Sequence, residues 1–561
     1  MKDDTSRRPA VHALLKDGTT VRIRTVELRD HDQPEGLYTE MSPDNRRLRS
    51  FSAGPRSARL AADTVCAPAR RGHRALLAER AGQVIGLVEY HADGDAPHTA
   101  ELAVAVADGL HDRGVGTLLV EHLVSAARAD CITSFTADVL SENHEVLRLF
   151  AGLGLAATRR FDGPEAHCVI DLHVDETYLT ASEARGRAAD VAGLEPLLRP
   201  RSIAVVGAGR RPGSVGRALL HHLREDGFTG RLFAVNPAAR AILGVSSYPS
   251  VGALPVTPDL VVVASPAGTV PAVAEECGKA GVRALVVVSA GLDTEQSEAL
   301  LTACRAHGMR LVGPNCLGVA NTAPGHRFDA TFAAAHPRAG TAGVAVQSGG
   351  VGIALLEGLS RLGIGVSTFA SLGDKYDVSG NDLLQWRESD GRTDLALLHL
   401  ESFGNPRAFS RTARRVTRRM PVLTVDAGRT DAGRRAAASH TAAAATGTMT
   451  RQALFTQAGI TATRSVGELL EAAALLHAQP PPAGARVAVI TNAGGAGVLA
   501  ADACAEAGLT LNPPSPEPAD DLLAEADFNP VLATPGGVTV PDARIRLLPR
   551  RPQDPYLRRP R

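Results

Sequence analysis

Twice in this chain a strand-like apolar run breaks into a glycine loop that opens an apolar-periodic helix. That repeated unit confines the fold to layers of sheet and helix. The first loop is His111-Asp112-Arg113-Gly114-Val115-Gly116-Thr117, between an apolar run at 100–107 and a helical pattern at 116–128. The second is Val205-Val206-Gly207-Ala208-Gly209, continuing to Pro212-Gly213-Ser214-Val215-Gly216. Glycines let the backbone approach a ligand closely, and the free N–H groups and dipole of a helix N-terminus attract phosphate. Leu119, Leu123 and Ala127 share one helical face, which would set the first of these helices against a sheet.

The rest of the chain continues the alternation. Strand patterns fall at 19–25, 84–90, 100–107 and 134–140. A charged, alanine-rich connector occupies 176–197. From 202 onward the runs are shorter and more buried in character, at 203–206, 232–235, 260–263, 284–288 and 310–312, with helical patterns between them. Such runs mark a doubly wound parallel sheet, whose ligands sit at the carboxyl ends of the strands. The pattern restarts at 343–347, 397–400 and 422–425 and ends in a long helix at 466–478. Pro480-Pro481-Pro482 marks a boundary, and a third unit begins at 487–491 with a helix to about 508. Beyond it the pattern stops and Pro and Arg dominate. The expected division is 10–175, a linker at 176–197, then 198–330, 331–479, 480–515 and 516–561.

With 561 residues the chain is long enough for several cores. Sixty basic and sixty acidic residues leave no net charge, which argues against a bulk pull toward nucleic acid or membrane. The seven cysteines are scattered without zinc-ligand spacing, so neither a disulfide framework nor a metal site is expected. The N-terminus is charged and lacks an apolar h-region, and no uncharged apolar run approaches membrane-spanning length. A cytoplasmic location is expected.

Residues 100–150 resemble the core of the GNAT acetyltransferases. The family's loop reads Gln/Arg-x-x-Gly-x-Gly/Ala; here it begins with His111, but Arg113, Gly114, Val115, Gly116 and Thr117 keep the main-chain phosphate cradle. The resemblance implies acetyl-CoA as cofactor. It resembles the Pat-type protein lysine acetyltransferases, in which a glutamate opening this strand is the general base. Glu101, in Ala100-Glu101-Leu102-Ala103-Val104, matches it; the plain alternative is a solvated strand-end carboxylate. Main-chain amides from about Val104 to Val106, on a strand that is bulged in the family, would polarise the thioester carbonyl. Asn143 matches an asparagine that touches the CoA arm, and would equally serve as a helix N-cap.

Residues 198–478 resemble the CoA-binding and first ligase domains of NDP-forming acyl-CoA synthetases. The resemblance implies a Rossmann-like CoA-binding domain followed by flavodoxin-like domains of the succinyl-CoA synthetase type. Its CoA-contacting positions would be Gly207, Gly209, Pro212, Gly213, Ser214, Val215, Asn236, Pro237, Ser265, Pro266, Asn315 and Cys316. A dinucleotide site would need an acid after the second strand, where this chain has Asn236-Pro237. His440, in Ala438-Ser439-His440-Thr441, matches the phosphate-carrying histidine, and Glu401 the carboxylate that orients it. Gln347-Ser348-Gly349-Gly350 would receive the phosphoryl group at a helix start. Gly373-Asp374-Lys375-Tyr376-Asp377 and Asp426 depart from the family. Glu525-Ala526-Asp527-Phe528-Asn529-Pro530 resembles the closing segment of an ATP-grasp domain whose middle is absent here.

Two functions follow. One is acetyl transfer from acetyl-CoA to a lysine of a protein substrate, with the ligase-like region sensing CoA. The other is an α-like synthetase chain needing a separate ATP-grasp subunit. This chain alone is not expected to ligate acids to CoA.

Overall fold

A computed structural model describes residues 10–50, 56–67, 72–92, 96, 98–426, 430, 432, 435, 448–479, 484–489, 491, 493–511, 523–528, 532–534, 537–539 and 543–547. It forms two compact units, 1–470 and 471–561.

The first unit holds three sheets. The N-terminal one has eight strands in the order Val11–Leu14, Thr20–Thr25, His73–Arg80, Gln83–Ala92, Thr99–Val106, Ser134–Leu140, Glu165–Asp171, Ala157–Asp162. All neighbours are antiparallel except the central pair. Thr99–Val106 runs parallel to Ser134–Leu140, and they pair only at Thr99↔Ser134, Ala100↔Phe135 and Glu101↔Thr136. Beyond Glu101 the two strands separate. Helix Val115–Ala129 covers one face, burying Leu119, Val120, Leu123 and Ala127 against Leu76, Val88 and Tyr90. Helices Asp32–Glu40 and Arg56–Val65 cover the other through Leu37, Tyr38 and Val65.

The 176–197 connector is a single helix, Glu176–Leu198, started by the Asp175 carboxylate, which accepts from Tyr178 N–H. Its C-terminal end is buried through Leu194, Leu197 and Leu198 in the core of the next two sheets. The second sheet has seven strands in the order Ala241–Ile242, Val245–Tyr248, Arg231–Val235, Ser202–Val206, Leu260–Val263, Ala284–Val287, Arg310–Val312. Its five long-paired strands are parallel, and the order reverses at Ser202–Val206, the usual ligand edge.

The third sheet runs Phe328–Thr331, Gly318–Asn321, Val366–Ser371, Ala339–Val346, Leu395–His399, Val422–Val425, Thr461–Thr463. The boundary expected at 330 leaves the residues of its first two strands, all but Thr331, in the preceding domain. They instead hydrogen-bond to the third sheet, Val319 opposite Ala370, because Val319, Phe328 and Ala330 find their apolar cover there. Arg310 binds the two domains further: it lies buried and donates to Asp377 at 2.8 Å and Asp382 at 2.9 Å.

In the second unit, helix Gly494–Glu506 follows the short strand Arg486–Val487, which pairs with Thr510–Leu511. Of the strand expected at 487–491, Val487 alone is in a strand among the described residues. Val498 and Leu499 are exposed. Its described residues also form two small antiparallel pairs, Leu523–Phe528 with Ala543–Leu547 and Leu532–Thr534 with Gly537–Thr539.

Candidate functional site

The separation of Thr99–Val106 from Ser134–Leu140 opens a cleft of about 1340 Å³. On that side the main chain from Leu102 to Val106 has no strand partner among the described residues, and apart from the Val106 carbonyl, which Asn45 occupies, its polar groups can face a ligand. The strand's register with Gln83–Ala92 is unbroken, so the bulge expected here is not present; divergence alone makes the gap.

At one end lies the glycine loop. Gly114 is the N-cap of helix Val115–Ala129, at φ 86°, a conformation that favours glycine. No side chain caps this helix, so the first N–H groups at Val115, Gly116 and Thr117 remain open beside the cleft. A Cβ on Gly116 would come within 3.0 Å of Leu149 Cδ1. Arg113 is turned away: its guanidinium meets Asp17 at 3.2 Å, and only its backbone belongs to the loop. Asn143 does line the cleft, but its Oδ1 accepts from Val146 N–H at 3.2 Å and caps helix His144–Gly152.

Glu101 stands exposed on the cleft where the strands part. His111, at the head of the glycine loop, pairs with Glu145 at 2.8 Å. Sequence reasoning missed two other contributors. Asn45 donates to the Val106 carbonyl and to Asp108. The linker helix walls the cleft through Ser182, Arg185, Gly186 and Ala189. Neither carries a local motif; they meet only in the fold.

The second loop shows the same economy of space. At Gly207 (φ 84°) a Cβ would lie 2.6 Å from the Ala264 carbonyl oxygen, and at Gly216 only 2.3 Å from that of Gly207. Helix Val215–Glu225 begins after Ser214 without a side-chain cap, with Pro212 and Gly213 exposed beside it. Asn236 braces this loop: its Nδ2 donates to Ala208 O at 2.6 Å and its Oδ1 accepts from Ala238 N–H, fixing the turn that Pro237 continues. Ser265 Oγ accepts from Thr269 Oγ1 at 2.8 Å, just before Pro266. Asn315 reaches Asp374 at 3.2 Å. Cys316 turns its side chain inward. Its side chain is buried, its thiol points to Val287 O, and burial pushes that thiol up to about 12.

At the third sheet, buried Gln347 accepts from the N–H groups of Glu401 at 2.6 Å and Ser402 at 2.9 Å. Ser348 caps helix Gly349–Arg361. Burial pushes the Lys375 ammonium down to about 8, against the pull of Glu401, and Lys375 Nζ donates to Ser402 Oγ at 2.6 Å. Glu401 Oε2 is buried without a hydrogen-bond partner among the described residues. His440 lies outside the described residues, as does Asn529. Asp426 forms a buried pair with Arg451 at 2.5 Å.

Comparison with known proteins finds three family matches along the chain. Residues 35–155 match the acetyltransferase (GNAT) family, 201–322 a CoA-binding domain, and 339–476 the succinyl-CoA ligase like flavodoxin domain. The chain is 36% identical over 328 residues to the acetate–CoA ligase (ADP-forming) I subunit alpha of Pyrococcus furiosus, covering 57% of this chain and 71% of that one. It belongs to the family of the ADP-forming acetate–CoA ligase α-type chains. The dinucleotide forming acetyl-coenzyme A synthetase 1 of Ca. Korarchaeum cryptofilum, solved with phosphate and ADP, is 37% identical, with a TM-score of 0.55 over 57% of this chain and 70% of that one. Against the acetate–CoA ligase (ADP-forming) I of Archaeoglobus fulgidus identity is 39% over 57% of this chain, which spans only 46% of that relative's length. Here the ligase-α-like region is fused behind a GNAT acetyltransferase domain, and the two domain types indicate acetyl-CoA or CoA as ligand. The residues fit that ligand: a long cleft, one uncapped helix start for its pyrophosphate, and unpaired main chain along its arm. No helix among the described residues is long and apolar enough to cross a membrane.

Proposed function

We propose that this chain transfers the acetyl group of acetyl-CoA to a lysine side chain of a protein substrate, and that its ligase-α-like region binds CoA or acyl-CoA as a sensor. What supports the reading is the cleft itself, with open helix amides at one end and an exposed carboxylate at the other. Acetyl-CoA supplies the activated thioester; the chain supplies orientation and a proton acceptor. A lysine ammonium cannot attack a carbonyl, so it must first lose a proton. Glu101 takes that proton, directly or through one water. Open amides between Leu102 and Val106 hold the carbonyl oxygen as negative charge gathers on it. The new N–C bond replaces the C–S bond, and the departing thiolate takes up a proton.

The α-like synthetase reading is favoured by one observation, the buried Glu401 Oε2, which has no hydrogen-bond partner among the described residues. The two separate cleanly. Purified chain with acetyl-CoA alone should acetylate protein lysines, read by mass spectrometry. Glu101→Gln should lower the rate by about a hundredfold or more, the range of a lost general base, with acetyl-CoA affinity kept. Near-full activity of that variant at every pH would remove Glu101 from the mechanism.

A further inference from the structure

Where strand His73–Arg80 begins and strand Gln83–Ala92 ends, His73, Glu89 and His91 meet on one face of the acetyltransferase sheet. The antiparallel register sets His73 opposite His91 and Ala75 opposite Glu89, so the three side chains project together. The two imidazoles stack, with centroids 4.3 Å apart and planes 17° from parallel. Both turn Nε2 toward one oxygen, Glu89 Oε2, at 3.0 Å from His91 and 3.5 Å from His73. The other carboxylate oxygen accepts from Arg49 at 3.1 Å.

As a hydrogen-bonded cluster this is poorly made. His73 has only 3% of its side chain exposed, and neither of its ring nitrogens has a hydrogen-bond partner among the described residues. Buried polar atoms are costly when left so. As a ligand set it is well made. All three donor atoms lie within 4.8 Å of one another. Ligands of a tetrahedral zinc, at bonds of about 2.0–2.2 Å, stand about 3.3–3.6 Å apart, close to the spacings of both histidines from Glu89. Arg49 occupies Oε1 and so leaves Glu89 one oxygen to give, the kind of outer partner that orients a metal ligand.

We propose that His73, Glu89 and His91 form a binding site for a divalent transition metal of the zinc class, with the fourth position open on the part-exposed side of His91. Two imidazoles and one carboxylate suit zinc and its first-row neighbours; calcium and magnesium demand more oxygens. His91 lies opposite Glu101 in the strand register, so the ion would sit one strand from the cleft carboxylate. The proposal does not depend on the acetyl-transfer reading. Cysteine spacing gave no hint of it, because the ligands come from two strands and only Glu89-x-His91 is local.

A second grouping, His222, Asp329 and His336, serves as the control. There Asp329 accepts from Thr331 N–H at 2.9 Å and pairs with His336 at 2.8 Å, while His222 bonds Thr331 O at 2.7 Å, so each side chain already has a partner. The test is cobalt(II) titration of the full chain after chelator treatment, read by visible absorption. One equivalent is expected, without a thiolate charge-transfer band, retained in His222→Gln and lost in His91→Gln and Glu89→Gln. Zinc should raise the melting temperature of the wild type and leave that of His91→Gln unchanged. A wild type that binds no metal, or an equivalent that survives in both variants, overturns the site. Should neither variant fold, X-ray absorption on zinc-loaded wild type decides: two imidazoles and a carboxylate support the site, and sulfur or an all-oxygen shell overturns it.

Discussion

Arg185 of the linker helix clasps Glu121 of the helix that follows the first glycine loop, with Nε and Nη2 both donating to Glu121 Oε1 at 2.8 and 2.5 Å. The same guanidinium donates to the Gly152 and Leu153 carbonyls. A side chain outside the GNAT-family match therefore holds one wall of the acetyl-CoA cleft. Further along the helix, Glu183 meets Arg411 at 3.2 Å and Gln385 donates to Asp190 at 2.5 Å, both partners lying in the ligase-like region.

Arg185→Ala should loosen this wall. Charge-assisted hydrogen bonds contribute about 1.5–3 kcal/mol when buried, and these are half-buried, so acetyl-CoA affinity should fall by roughly three- to tenfold. Calorimetry on the full chain reads it. An unchanged affinity would make the linker helix a bystander to the cleft.

Asp190 makes the junction sensitive to pH. Burial, then the neighbouring Asp382 charge, push its carboxyl up to about 7. A raised folded pKa means that the folded chain binds more protons than the unfolded one between about pH 4 and 7, so stability falls across that window as pH rises. The contribution is full below the ordinary aspartate range and lost through about 7. Asp190→Asn should flatten the slope and leave the protein at least as stable at pH 8, by denaturant melts at several pH values. A slope unchanged in the variant would assign it to other groups.

Legibility in the sequence followed burial. The wholly apolar runs of the second sheet, such as Leu260–Val263, stand where the pattern placed them, since a strand buried on both faces has no polar alternation to confuse. His73–Arg80 did not read as a strand, because His-Arg-Ala-Leu-Leu-Ala-Glu-Arg is made of helix formers that pairing on both sides overrides. The glycine loops were legible because main-chain geometry leaves a glycine signature. The side-chain roles were less so: Arg113 looked like a ligand group and serves Asp17, while Arg185 and Asn45 lie too far along the chain from the loop to be linked to it.

Two CoA molecules per chain are expected, one for each uncapped glycine-loop helix. Gly209→Asp tests the second loop without crowding it, since the nearest atom to a Cβ there is Ser214 Oγ at 3.5 Å. The new carboxylate would repel phosphate at the start of helix Val215–Glu225. Stoichiometry by calorimetry should drop from two to one while acetyl transfer from acetyl-CoA persists. A wild-type stoichiometry of one would end the sensor reading.

Glu401 governs the last expectation. Its Oε2 is buried and unpartnered among the described residues, and the backbone on either side is fixed by Gln347, so the carboxylate is held ready for a cationic or N–H partner. In the synthetase reading that partner is His440, which would carry phosphate between an acyl phosphate and a nucleotide. Such a transfer needs magnesium and a surface that cradles the triphosphate. The described residues after 479 form a short parallel pair, one helix and two small antiparallel pairs, and the sequence reading expects the ATP-grasp function on a separate subunit. Incubation of the chain with ATP, magnesium, acetate and CoA should therefore yield no acetyl-CoA. Adding an ATP-grasp subunit of an ADP-forming synthetase should restore product only if Glu401 and His440 are both intact. Acetyl-CoA formed by the chain alone, and abolished by His440→Ala, would show a live ligase and overturn this expectation.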